Sequence, residues 1–490
     1  MKLTCMIGED KGRSHFLELS HFNQDSNRVI RVDDSVEGFT EISALCESKK
    51  PDSIILIAES PLRFRDDLQI GLLPRLIEVG INPASIGFVN LNGIVLCSDS
   101  EEQVLARLQL TTALAHDRVG HGKPLSVKKI KPVKRCLVVG DILDNDVKLL
   151  EQSGIELIRI WSGDNREMLS DVGLQSFSGL PGDYQIGLLQ SDNKTEEYRC
   201  GAVFVNTSSL NPDQKRQLAE AMKIPFPADT FRLPPDRHTL TAGVWVLEKE
   251  NEQKTAGWAA EVSSLLDRDT IESYLDACTV NLDKCGLCGA CVKTCMFSAN
   301  SIDLKSARIH FDQTRCTGCG NCVTACPVLA RDLHHYSNSY MGNIAANLHA
   351  FKGRDGMRIL GLFCESNGYK AVNYLAGTGK RVSSSYYFLP VKCGARIGTE
   401  IIPDSFQNGF DGVALLVCAR DECNELVGSL DLERRFNLYR TIMKAQGQES
   451  GRMRIFSIKE KELGNVHDGL EQFARYLADL RTDQAVFSQL

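Results

Sequence analysis

Short apolar runs closed by a small or polar residue recur along this chain. Between them lie stretches whose apolar positions repeat at helical spacing. Ser53-Ile-Ile-Leu-Ile-Ala58 predicts a buried strand, and Glu101 to Ala115 a helix. Cys136-Leu-Val-Val-Gly140 predicts a second strand, followed by a helix to Ser153, the break at Gly154 and a strand over Ile155 to Trp161. That succession is a β-α-β pattern, and a helix from Ala256 to Leu266 ends its segment. Beyond Met357 the alternation resumes with Ile359-Leu-Gly-Leu-Phe363, Tyr386-Tyr-Phe-Leu-Pro-Val391 and Val413-Ala-Leu-Leu-Val417. The expected class is α/β and multidomain, with Rossmann-like α/β units and a C-terminal doubly wound α/β unit. Four segments follow: 1–124, 125–270, 271–350 and 355–490. The first boundary is the Gly- and Pro-containing stretch from Gly120 to Pro132. Its basic run, Lys128 to Arg135, reads as a solvated linker, with docking to a partner as the second reading.

Composition changes this picture in one respect. With 490 residues, 43% hydrophobic and 24% charged, the chain is an ordinary globular protein of three or four domains. A net charge of −7 leaves no electrostatic footprint for nucleic acid. No apolar run reaches a membrane span, and Met1 to His21 lacks a basic region followed by an apolar one, so a cytoplasmic location is expected. Eighteen cysteines, however, are many. Eight of them lie between Cys285 and Cys326 at ligand spacing, which in a reducing compartment points to soft-metal chemistry.

The first run is Cys285-x-x-Cys288-x-x-Cys291-x-x-x-Cys295 and the second Cys316-x-x-Cys319-x-x-Cys322-x-x-x-Cys326-Pro327. Each short loop lets three thiolates converge on one cluster, and the fourth cysteine reaches the other. Cys285, Cys288, Cys291 and Cys326 are therefore expected on one [4Fe–4S] cluster, and Cys316, Cys319, Cys322 and Cys295 on a second. Gly286, Gly289, Gly318 and Gly320 should allow the tight turns. The alternatives are zinc sites or disulfides, which rarely repeat this triple spacing. The segment resembles the bacterial two-cluster ferredoxin domain, with Met296 where that family has proline.

In the last segment each strand runs into or toward a cysteine: Cys364, Cys393 and Cys418, with Cys423 following. Carboxyl ends of parallel strands gather on one side of a sheet, so these four thiols form a candidate [2Fe–2S] site. Buried structural cysteines are the alternative. The stretch resembles the delta subunit of methyl-viologen-reducing hydrogenase through the first strand-end cysteine, Val391-Lys-Cys393-Gly-Ala-Arg396, Cys418-Ala-Arg-Asp-Glu-Cys423 and Leu432-Glu-Arg-Arg435. It departs at Asn367, where members often carry another cysteine.

The first two segments resemble the A subunit of heterodisulfide reductase, with Gly201 to Asn206 and Leu240 to Val246 as late strands of its flavin fold. The dinucleotide fingerprint is broken: Ile142 and Asn145 stand where the second and third glycines belong, and Trp161 where the ribose-binding acid belongs. Loss of FAD binding is expected. Cys5, Cys46 and Cys97 fall near cysteine positions of that family, with Glu59 in place of a fourth. They read as relics or buried thiols before a further cluster. His116, His121, His310, His334 and His335 form no ligand pattern.

The expected function is electron relay in a multi-subunit cytoplasmic complex, with no substrate site of its own. The resemblances imply partners of two kinds: heterodisulfide reductase-like subunits, and a hydrogenase or dehydrogenase. The quinone-interacting oxidoreductase B subunit has a related fusion. Two alternatives are a scaffold with structural clusters and a flavin-dependent, electron-bifurcating oxidoreductase subunit.

Overall fold

A computed structural model of the chain describes residues 2–8, 27–33, 36–62, 72–120, 125–161, 172–190, 192–221, 243–247, 257–275, 277–350 and 356–487. Most of Met1 to His21, His121 and residues 240–242 lie outside the described residues. Three four-stranded parallel sheets carry the architecture. The first orders its strands Asn27–Asp33, Lys2–Gly8, Ser53–Ala58, Ile86–Asn90. The second orders Glu156–Ile160, Arg135–Val139, Ala202–Asn206, Val244–Leu247. The third orders Tyr386–Val391, Ile359–Cys364, Gly412–Cys418, Met453–Ile458. In chain order each reads 2-1-3-4, the doubly wound arrangement, although no sequence repeat announces it. An antiparallel meander, Gly173–Leu180, Asp183–Leu189 and Thr195–Cys200, interrupts the second sheet's connection.

The strands form where the apolar runs predict them. Ser53–Ala58, Ile359–Cys364 and Gly412–Cys418 are buried at every position, as a sheet covered on both faces requires. The basic linker is different. Ser126–Ile130 is a strand, paired antiparallel with Ile271–Leu275, and Lys129 meets Glu272 at 3.0 Å. Val127 shares a face with Lys129 and Ile130 with Lys128, so the charges mask a strand whose partner lies far along the chain. The two boundaries drawn at 124/125 and 270/271 are thus stitched by one ribbon.

The first and third sheets share their packing. Helix Glu101–Gly120 places Val104, Leu108, Ala115 and Val119 against Ile55, Ile57 and Val89. Its Leu110 and Leu114 enter a different core that runs through residues 277–348 into the third sheet. Leu62, Leu96 and Cys97 likewise pack among residues of the third sheet's other face.

His116, on this helix, is 3% exposed. Its ring lies 2.9 Å from Ser53 Oγ and 3.3 Å from Thr4 Oγ1. It is a core histidine. Burial, with Lys2 nearby, pushes its pKa down to about 4. The folded state therefore disfavours the imidazolium, and stability is lost as pH falls from the unfolded value near 6.5 towards 4. At pH 5 the loss is about 2 kcal/mol by linkage. Hydrogen exchange of Ser53–Ala58, corrected for its intrinsic pH dependence, should show this loss between pH 7.5 and pH 5 in wild type and not in His116→Asn. Equal losses in both proteins would exclude His116 as the cause.

Candidate metal centres

The two cysteine loops of residues 278–332 fold as conformational copies. In each, the residue two after the first cysteine is left-handed: Leu287 at φ 53° and Gly318 at φ 68°. So is the residue four after it, Gly289 at 73° and Gly320 at 83°, which opens the short helices Ala290–Lys293 and Asn321–Thr324. Ser298 and Leu329, three beyond each fourth cysteine, repeat at 53° and 51°. Gly286, expected to make the tight turn, does not take the left-handed conformation; Leu287 does so without a glycine's freedom. Backbone N–H groups turn onto sulfur, with Gly318 N 3.4 Å from Cys316 Sγ and Ala330 N 3.2 Å from Cys326 Sγ.

Cys295 feels the charges of Cys322 and Cys316, and Cys291 those of Cys322 and then Cys285; burial is the larger cause raising both thiols. Cys319 is raised by burial first and then by Glu425, with smaller contributions from Cys316 and Cys322. None of the eighteen cysteines is in a disulfide. Among the described residues no three donor side chains close on a single-ion site. A cluster's ligands stand apart by the width of the cluster, whereas those of zinc converge on one point. The doubled Cys-x-x-Cys-x-x-Cys-x-x-x-Cys spacing is what fits this donor set to cubanes. Cys288 is exposed and Cys285 and Cys326 partly so, while Cys316 and Cys322 are buried. Cys291 is buried as well, and Cys319 and Cys295 are partly exposed, so the two sets differ chiefly in the exposed Cys288 of the first.

The third sheet brings its cysteines to one edge. Cys364 ends its strand opposite Val391, two residues before Cys393, and Cys418 ends its own opposite Ile458. Cys364 Sγ and Cys418 Sγ are 3.6 Å apart. Cys393 and Cys423 form a second hydrogen-bonded pair, which raises the first thiol and lowers the second. Cys423 also acts on Cys418, which joins the pairs. All four are buried. Two thiolates on one tetrahedral ion with bonds of about 2.3 Å lie about 3.8 Å apart. The Cys364–Cys418 separation of 3.6 Å is compatible with two ligands sharing one iron of a two-iron cluster. Gly368 N donates to Cys364 Sγ at 3.3 Å and Ala395 N to Cys393 Sγ at 3.5 Å. Asn367, the family departure, is buried and donates to Glu422 Oε2 and to the Ile458 carbonyl. It braces the edge from behind. Asp421 pairs with Lys459 at 3.6 Å and is largely exposed.

The two cysteine regions are one core. Cys291, Cys316 and Cys322 pack in the same apolar cluster as Cys364, Cys418 and Cys423. Across the junction Thr317 Oγ1 donates to Glu425, and Arg435 donates to Asn321 Oδ1 and to the Ala395 carbonyl. Arg396, 1% exposed, donates to the Tyr336 carbonyl at 2.7 Å and to Asn338 Oδ1 at 3.0 Å. Cys319 lies close enough to contribute to the raised pKa of Cys393, though less than Cys423, burial and Glu425 do.

The remaining cysteine groups do not assemble. Cys5 and Cys46 share the first sheet's core. Cys97 lies in another and accepts from Arg107 at 2.9 Å. At the broken fingerprint, Asp141 N already donates to Ser209 Oγ, and the following helix carries Asp144 and Asp146 in its first turn. That is the wrong charge for a phosphate. Trp161 is buried and donates to the Val172 carbonyl. Sequence reasoning passed over Cys278 and Arg331. Cys278 Sγ lies 3.6 Å from Cys322 Sγ, and Arg331 donates to Cys278 and Cys291. A lone cysteine outside both runs and an isolated arginine carry no spacing signal.

No helix among the described residues is long and apolar enough to cross a membrane. Residues 272–330 match the family model of the 4Fe-4S dicluster domain, and residues 359–481 that of the delta subunit of methyl-viologen-reducing hydrogenase. The chain is 26% identical over 231 residues to the A subunit of the ferredoxin/F(420)H(2)-dependent CoB-CoM heterodisulfide reductase of Methanosarcina acetivorans, a match covering 47% of this chain and 29% of that protein. It is 27% identical over 224 residues to the A subunit of the ferredoxin:CoB-CoM heterodisulfide reductase of Methanosarcina mazei, covering 45% and 28%. The matches thus span less than a third of these relatives' own length. With the paired cysteine loops, these likenesses establish an iron–sulfur electron-transfer protein that joins a four-iron dicluster segment, in a heterodisulfide reductase A-like setting, to one similar to the hydrogenase delta subunit.

Proposed function

We propose that this chain is a relay subunit that carries electrons through three clusters in line. The observation that carries the reading is the single core shared by both cysteine regions. The clusters, when bound, accept and release single electrons at potentials set by their surroundings. Cys285, Cys288, Cys291 and Cys326 would hold the outer four-iron cluster, near solvent where a redox partner can approach. Cys316, Cys319, Cys322 and Cys295 would hold the inner one. Cys364 with Cys418 and Cys393 with Cys423 would each hold one iron of a [2Fe–2S] cluster. The packed junction through Thr317, Asn321, Glu425 and Arg435 fixes the separation of the last two and keeps water out. Residues 125–270 would act as a scaffold that has lost FAD, since the N–H of the fingerprint loop is engaged and its helix start is acidic. Partners would be redox subunits of a cytoplasmic complex, heterodisulfide reductase-like at one end and a hydrogenase or dehydrogenase at the other.

Anaerobic purification followed by iron, sulfide and flavin assays tests this. About ten iron per chain is expected from two cubanes and one two-iron cluster, with no FAD. Stoichiometric zinc, or about two iron, would remove the ferredoxin reading. One FAD per chain would restore the flavoenzyme alternative.

A further inference from the structure

Arg331 stands out among the groups that electron relay does not itself require. It is 2% exposed and lies in the two-residue strand Arg331–Asp332, just beyond the second cysteine run. Its guanidinium donates to Cys278 Sγ at 3.5 Å, to Cys291 Sγ at 3.6 Å and to Asn300 Oδ1, and it covers the ring of Phe311 at 4.9 Å. Asn300 is held in turn by the Cys291 carbonyl. Among the described residues it makes no ion pair with a carboxylate. A guanidinium is always charged, and a buried charge is costly unless an opposite charge compensates it. The nearby groups able to supply negative charge are the sulfurs, which do so when they are deprotonated as ligands.

The neighbours of Arg331 connect it to both clusters. Cys291 belongs to the outer ligand set. Cys278 does not belong to either set, yet its sulfur lies 3.6 Å from Cys322 Sγ, and its N–H lies 3.4 Å from Cys316 Sγ. Each iron of a cubane takes one thiolate, so two sulfurs this close cannot both be ligands. We infer that Arg331 is the shared counter-charge of the two four-iron clusters, with Cys278 a non-ligating thiol that hydrogen-bonds Cys322. Reduction adds negative charge to a cluster. A buried cation stabilises the reduced form and raises the potential. One guanidinium placed between the two sets raises both potentials together, which favours passage of electrons between them over trapping on either.

This inference rests on the dicluster reading, and iron content separates the failure of one from the failure of the other. The full chain is titrated anaerobically with EPR detection, in wild type, Arg331→Gln, Arg331→Lys and Cys278→Ala. Arg331→Gln should lower both four-iron midpoints, changing the ratio of reduced to oxidised cluster at fixed potential about tenfold, or 59 mV for one electron. Arg331→Lys keeps the charge and should recover most of that shift. Cys278→Ala should retain full iron and lower one midpoint only. Full iron with unmoved midpoints in Arg331→Gln would overturn the proposal. So would loss of iron from Cys278→Ala, which would make Cys278 a ligand. If Arg331→Gln fails to assemble, Arg331→Lys decides: restored iron and a near-native midpoint support the counter-charge, and loss of iron there as well rejects it.

Discussion

Gly428→Ala is expected to strip the C-terminal cluster from this protein while the four-iron clusters stay in place. Gly428 opens helix Gly428–Ala445, which packs on the loop that carries Cys393. A Cβ there would lie 2.5 Å from Cys393 Sγ and 3.4 Å from Cys423 Sγ. Both contacts are with candidate ligands of the same iron. A free cysteine could rotate away at little cost, so the chain should still fold. A ligated sulfur cannot move without breaking its bond to iron. Iron should fall from about ten to about eight per chain, and the two-iron spectrum should disappear. Cys393→Ser offers the matching loss by removing the sulfur itself. A Gly428→Ala protein with full iron and an unchanged two-iron spectrum would show that Cys393 and Cys423 do not share an iron.

Much of this site is legible in the sequence, for reasons that differ from residue to residue. The eight cysteines of the dicluster loops can be read because their spacing is local: three ligands within one turn of chain serve one cluster. The strand-end cysteines Cys364, Cys393 and Cys418 can be read because period and burial place parallel strands, and parallel strands share an edge. How the four C-terminal thiols pair cannot be read, since it depends on which strands are neighbours in the sheet. Cys364 meets Cys418 because Ile359–Cys364 lies next to Gly412–Cys418. Strand Ser126–Ile130 escaped because its lysines face solvent and its partner is remote. Arg331 escaped, and so did the burial of Arg396 within its signature, for a common reason: an arginine is expected at the surface, and burial is imposed on both by elements that meet only in the folded chain.

Arg396 is the residue through which that tertiary burial should have its largest effect on stability. It belongs to the Val391-Lys-Cys393-Gly-Ala-Arg396 signature, yet it does not face the cysteine edge. Its side chain crosses to the dicluster segment, where it lies against Gly320 and donates to Tyr336 and Asn338. Gly320 must be a glycine for two reasons: φ is 83°, and a Cβ would meet Arg396 Cδ at 2.7 Å. Burial pushes the Arg396 pKa down to about 10, so it remains charged at pH 7. Arg396→Ala would leave the Tyr336 carbonyl and Asn338 Oδ1 without this donor and open a cavity under the inner loop. Unmet acceptors cost about 1–3 kcal/mol each, and a large side chain lost from a core costs a few more. A total of about 3–5 kcal/mol is expected, concentrated at the junction. Arg396→Lys keeps the charge but cannot present two donors in a fixed fork, so it should recover part of this. By calorimetry the dicluster and C-terminal segments should melt together in the wild type and separately in Arg396→Ala. Rapid reduction through the outer cluster should then fill the two-iron centre more slowly, with each cluster still at full iron. A cooperative Arg396→Ala melt within about 1 kcal/mol of wild type, judged against the ordinary effect of a surface substitution, would show that Arg435, Asn321 and Glu425 hold the junction without it.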